Sequence, residues 1–174
     1  LRRILLSNQT PLGALPARFR RERLLMIGCG DVGMRLARVQ RHMRTFALTS
    51  QQQRTTELRD AGITPLLGNL DQPNSLKRLA GLATRVVHLA PPPLQGHHDP
   101  RTLALARALM LRTAPSSVVY GSTSGVYGDC DGAWVTESRL TNPKTSRAQR
   151  RVDAEQRLRH FARLRGNAVR MSVL

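Results

Sequence analysis

Lysine, acidic residues, aromatics, cysteine and long apolar runs are all scarce in this 174-residue chain, and each scarcity excludes something. No run approaches the roughly 18 consecutive apolar residues that a membrane-spanning helix needs, which excludes a helical membrane protein. Two cysteines, Cys29 and Cys130, lie far apart and form no metal or redox spacing, so neither a disulfide scaffold nor a zinc site is supported. A reduced, cytoplasmic setting is the expectation. Acids number 11 against 28 Lys+Arg, giving a net charge of +17 and a pI near 11.8, which invites a nucleic-acid reading. The scarcity of aromatics, 3% of the chain, opposes it: only Phe19 and Phe161 fall in the two basic zones, 1–23 and 144–170, and a single-strand binder interleaves stacking rings with its charges. Lysine occurs only at 77 and 144, and so strong an arginine skew follows genome composition as readily as function.

What is present is the length of one domain with an appendage. Residues 1–22 carry neither alternation nor a helical stripe, and Pro11, Gly13 and Pro16 interrupt them. They read as a basic leader, similar to an organelle transit peptide or simply an upstream extension. From residue 23 onward, short apolar runs alternate with helix-like stretches, the pattern of a parallel sheet with covering helices. Strands are predicted at 24–27, 45–49, 63–67, 86–90, 117–120 and 167–174. Helices are predicted over the stretch bearing Val32, Leu36, Ala37 and Val39, and over 57–61, 75–82, 103–111 and 148–163. The fold class is therefore α/β, a Rossmann-like doubly wound parallel sheet truncated after strand six.

Between the first strand and first helix stands Gly28-Cys29-Gly30-Asp31-Val32-Gly33, the GxGxxG spacing of a dinucleotide-binding turn. The first glycine makes the turn, the second admits a pyrophosphate to the backbone, and the third lets the helix pack closely. The helix N-terminus then offers free N–H groups to phosphate. About 20 residues on, an acid would hold the ribose 2′-hydroxyl of NAD. Here Thr49-Ser50-Gln51-Gln52-Gln53-Arg54 supplies hydroxyls and a cation, so Ser50 and Arg54 favour NADP over NAD, although Arg54 also reads as one more surface arginine.

Further segments make the chain resemble an extended or atypical short-chain dehydrogenase/reductase of the NAD-dependent epimerase/dehydratase group. Gly68-Asn69-Leu70-Asp71 is similar to the family's Gly-Asp-Leu at the adenine, with Asn69 in place of the acid. Val87-His88-Leu89-Ala90 resembles the strand-four ending that lines the cofactor, and Tyr120-Gly121-Ser122-Thr123-Ser124-Gly125-Val126-Tyr127-Gly128 resembles Ser-Ser-x-x-Val-Tyr-Gly. The resemblance spans about residues 23–174 in the order of a doubly wound sheet. It implies a cofactor site at Gly28, Gly30, Asp31, Val32, Gly33, Ser50, Arg54, Asn69, Leu70, Leu89, Ala90 and Ser122, with Thr123 hydrogen-bonding the reacting oxygen. A cluster such as Ser122–Ser124 also reads as a turn capping its own backbone.

The family's Tyr-x-x-x-Lys pair is replaced by Arg147 and Arg151, when Ala154-Glu155-Gln156 is aligned with the segment that follows the lysine. Arginine stays protonated and cannot exchange a proton as tyrosine does. The family also continues into a substrate region that this chain, read to Leu174, lacks. The expectation is thus an NAD(P)-binding domain of an epimerase/dehydratase-like or reductase-like protein, acting on a sugar nucleotide or small carbonyl compound. The alternatives are a non-catalytic NADP-binding sensor or scaffold and, more distantly, a basic nucleic-acid binder. His97, His98 and Asp99 read as loop residues, not a metal site.

Overall fold

Alternation along the first strand decides how the sheet is covered. In a computed structural model that describes residues 22–166 and 168–174, Leu25 and Ile27 of β1 (Arg23–Ile27) enter one apolar cluster, while Leu24 and Met26 enter another on the opposite face. The predicted leader lies outside the described residues, apart from Glu22, and so does Asn167.

The remaining strands are β2 (Arg44–Thr49), β3 (Thr64–Leu67), β4 (Arg85–His88), β5 (Ser117–Tyr120) and β6 (Arg170–Val173). All pair in parallel in the order β3-β2-β1-β4-β5-β6, the doubly wound arrangement expected from the sequence. The order reverses between β1 and β4, so a crevice opens beyond their C-terminal ends. Helices α1 (Asp31–Val39) and α2 (Arg54–Asp60) follow β1 and β2. Helices α3 (Pro100–Met110) and α4 (Ser146–Leu164) pack together on the other face, with α3 also against a 3-10 helix at Pro73–Leu79.

Three sequence expectations are corrected. Of the apolar stripe expected on α1, Ala37 is buried and Leu36 packs against the core, but Val32 and Val39 are 65% and 75% exposed; Gly33 joins the buried face in their place, where the helix lies close to the turn. The helix predicted at 75–82 is a 3-10 helix begun by Pro73, with Gln72 as an N-cap that contributes no side-chain bond. The fourth strand ends at His88, before Leu89 and Ala90, whose N–H groups both turn to the Ile27 carbonyl. Helix α4, whose apolar side reads in the sequence as Ala148, Val152, Leu158, Phe161 and Ala162, buries all of these but half-buried Val152, and it also buries Arg150, Arg151 and Glu155.

Candidate active site at the C-terminal edge of the sheet

The three glycines of the turn have separable tasks. Gly28 has φ +84°, and a Cβ there would lie 2.4 Å from the Ala90 backbone nitrogen, so it is fixed by chain geometry and by the β1–β4 approach. Gly33 faces Cys29, whose Sγ would stand 3.2 Å from an added Cβ. Gly30 is different: a Cβ there would meet nothing within 4 Å. It is also the N-cap of α1 and makes no side-chain bond, so the N–H groups of the first helical turn have no side-chain partner.

Around this turn lies a pocket of about 500 Å³ at the ends of β1, β2, β3 and β4. Of the sequence-predicted residues, Gly28, Gly30, Ser50, Arg54, Asn69, Leu70, Leu89 and Ala90 line it together. Asp31, Val32 and Gly33 do not: Asp31 pairs with Arg35 at 3.0 Å on the surface, Val32 is exposed, and Gly33 is buried behind the turn. Arg54 lies against the turn, with Nη1 donating to the Cys29 carbonyl at 2.9 Å and Nε to Glu57 at 3.1 Å. Burial raises the Cys29 thiol above its ordinary range, partly countered by the Arg54 charge, so the thiol stays neutral. Asn69 holds its own loop: its Oδ1 accepts from the Asp71 N–H at 2.9 Å. The asparagine amide then offers its NH₂ to a ligand, where an acid would offer only acceptors.

Two charged residues in this pocket escaped the sequence reading. Arg101, in the first turn of α3, donates through Nε and Nη2 to both Asp71 carboxylate oxygens, at 2.7 and 2.6 Å. The pair joins residues 30 apart in the chain, a distance no local motif signals. Arg101 holds the Asp71 carboxyl below its usual range, chiefly by hydrogen bonding.

The second group of predicted residues sits beside β5. Gly121 abuts Leu89 of the pocket wall, and an added Cβ would stand 2.9 Å from Leu89 Cδ2. Ser122 donates to buried Glu155 on α4 at 2.5 Å, and the other Glu155 oxygen pairs with Arg159 at 3.3 Å. Thr123 caps a 3-10 turn at Ser124–Tyr127, its hydroxyl accepting weakly from the Gly125 N–H at 3.4 Å. Arg151 is only 7% exposed; its Nη1 donates to the Tyr120 hydroxyl at 3.0 Å and the Gly121 carbonyl at 2.7 Å, with its guanidinium over the Tyr120 ring. Arg147, one helical turn earlier, is exposed.

Behind Tyr120 runs a buried polar chain. Thr102 gives its single hydroxyl proton to Asp99 at 2.7 Å, so His88 must donate to Thr102 through Nε2, at 2.9 Å. That leaves His88 Nδ1 bare and without a partner. Burial, helped by the nearby Arg151 charge, pushes the His88 pKa down to about 3, and the ring is neutral at physiological pH. Of the predicted loop cluster, Asp99 caps α3, while exposed His97 and His98 reach Gln149 and Asp153 of α4; the described residues hold no group of metal-ligating side chains. Among them, too, no helix is long and apolar enough to cross a membrane.

No family model and no curated protein matches the sequence. Solved structures do match. A dTDP-glucose 4,6-dehydratase double mutant from Streptomyces venezuelae, solved with NAD bound, superposes with a TM-score of 0.72 at 22% identity over 87% of this chain and 55% of its own. A UDP-glucose 4-epimerase from Thermotoga maritima, with UDP-glucose, gives 0.71 at 17% identity over 87% and 54%. The fold is that of the NAD-dependent epimerases and dehydratases. A UDP-glucuronic acid 4-epimerase from Bacillus cereus in complex with NAD gives 0.67 at 18% identity over 87% and 55%. The chain thus spans about half the length of these epimerase and dehydratase structures.

Proposed function

We propose that residues 23–174 are the nucleotide-binding lobe of an epimerase/dehydratase-like or reductase-like protein, and that the lobe binds a nicotinamide dinucleotide in the pocket at the glycine turn. The observation that carries this reading is the open cradle at Gly30: the backbone bends there with space for a ligand, and the uncapped first turn of α1 supplies N–H groups to a pyrophosphate. A bound dinucleotide would supply hydride chemistry; this chain's residues would hold and orient it. Asp31, Val32 and Gly33 would contribute backbone N–H groups, and Leu70, Leu89 and Ala90 apolar walls.

NADP is preferred over NAD in this reading. The end of β2 presents Thr49 and Ser50 to the pocket where a carboxylate would repel a 2′-phosphate, and Arg54 stands beside them. The dehydratase and the UDP-glucuronic acid epimerase carry NAD, so the choice rests on these side chains alone. Fluorescence titration with NADPH and NADH tests it: tighter NADPH binding is expected, and tighter NADH binding overturns the preference. Gly30→Asp, which places a carboxylate in open space, is expected to abolish binding of both; unchanged binding would overturn the site itself.

The substrate class, a sugar nucleotide or small carbonyl compound, is taken by analogy with the fold. Thr123 and Ser122 would lie beside the reacting group, with Arg151 fixing the loop that carries them and Arg147 free to meet an anionic substrate. A specific observation favours a second reading, a non-catalytic NADP-binding protein: Arg151, at the lysine position, is buried and committed to Tyr120 and Gly121, and Arg147 has no proton to exchange. NADPH binding without turnover of any carbonyl substrate would select it.

A further inference from the structure

The pocket divides by chemistry. Its glycine turn offers backbone N–H groups, while Leu48, Leu70 and Pro91 add apolar lining and the Asp71–Arg101 pair stands among the lining residues. Phosphates belong at the turn, and an uncharged planar group against the apolar lining. No aromatic side chain lines this pocket to receive such a group.

We propose that Arg101 is the stacking platform for the adenine base, with Asp71 as the residue that holds it flat; the proposal rests on the dinucleotide reading above. Three features lead there. The carboxylate takes Nε and Nη2 in a two-bonded fork, and Nη1 leans on the Pro91 carbonyl at 3.4 Å, so three nitrogens are engaged in the guanidinium plane. A guanidinium engaged at its edges presents its face, and that face stacks on aromatic rings. The side chain is 27% exposed, neither sealed in the core nor free in solvent. Finally, the pair ties the loop after β3 to the start of α3, and both segments line the pocket beside Leu70 and Pro91. Arg54 is engaged in a similar way, by the Glu57 carboxylate and the Cys29 carbonyl, but it stands against the glycine turn, where the phosphates belong.

The experiment compares Arg101→Ala, Arg101→Lys and Gly30→Asp with the unaltered full chain, using NADPH and reduced nicotinamide mononucleotide, which lacks adenine, and recording each variant's melting temperature. Both Arg101 variants are expected to weaken NADPH binding by about fivefold to tenfold, with mononucleotide binding and melting temperature unchanged. Lysine keeps the charge but has no flat face, so unaltered NADPH affinity in Arg101→Lys would show an ionic role and overturn stacking. Equal loss for the mononucleotide would show general disturbance of the pocket and overturn it as well. If Gly30→Asp abolishes NADPH binding while both Arg101 variants bind normally, the inference falls and the dinucleotide site stands. If the unaltered chain binds no dinucleotide, both fall.

Discussion

The two ends of the crevice treat polar groups in opposite ways. At the glycine turn, Gly30 leaves open space and α1 starts without a side-chain cap, so backbone donors remain uncommitted. Beside β5, the polar groups are turned inward: Arg151 is bonded to Tyr120 and Gly121, Ser122 to Glu155, and His88 to Thr102 and through it to Asp99. A ligand-binding surface needs unspent donors on a rigid support, whereas a buried polar network is stable only when its members satisfy one another. The first region has the unspent donors that the proposed dinucleotide site requires. In the second, Arg151 anchors α4 to the end of β5.

The sharpest way to break this contrast lies in the glycines. Gly28→Val forces a side chain into the Ala90 backbone at positive φ and is expected to cost about 4 kcal/mol or more, read by chemical denaturation. Gly30→Ala should leave stability within about 0.5 kcal/mol of the unaltered chain, since its Cβ enters open space. Next, Arg151→Ala removes a buried donor and strands the Tyr120 hydroxyl and the Gly121 carbonyl; a loss of about 3 kcal/mol is expected by the same measurement. A purely ligand-facing Arg151 would instead leave stability unchanged.

The buried network also predicts acid sensitivity. His88 has its folded-state pKa lowered to about 3 from 6.5, so both states are neutral above pH 6.5, and below it only the unfolded chain takes up the proton. Stability should therefore fall with decreasing pH between about 6.5 and 3, by at most about 1.4 kcal/mol per pH unit. Melting temperatures measured across that range should show the slope, flattened in His88→Gln. At the open end, Arg54→Ala is expected to weaken NADPH about tenfold, or about 1.4 kcal/mol, and NADH less. The smallest effect belongs to exposed Arg147→Ala, within about 0.5 kcal/mol in stability.

Legibility in the sequence followed the range of each interaction. Strand four could be placed from Val86 and Val87, and the Gly28–Gly33 turn from its spacing, because strand periodicity and turn conformation are local properties. The partly misplaced face of α1 had a local cause too: valines outweigh glycine in any apolar count, yet Gly33 is buried where α1 starts close to the turn, and Val32 and Val39 face solvent. Asp71–Arg101 was invisible for another reason, since two surface-type charges 30 residues apart carry no periodic signature. Arg147 and Arg151 stand one helical turn apart, and nothing local tells which is covered; packing buried the second and left the first in solvent.

By itself, then, the sequence determined the α/β alternation and the glycine turn, both of which reside in residue type and short spacing. Tertiary structure alone decided which glycine faces open space, which arginine is spent in the core and which is held at a pocket wall. Those outcomes depend on distances between strands and helices far apart in the chain, and so on the closeness of packing that only the folded chain establishes.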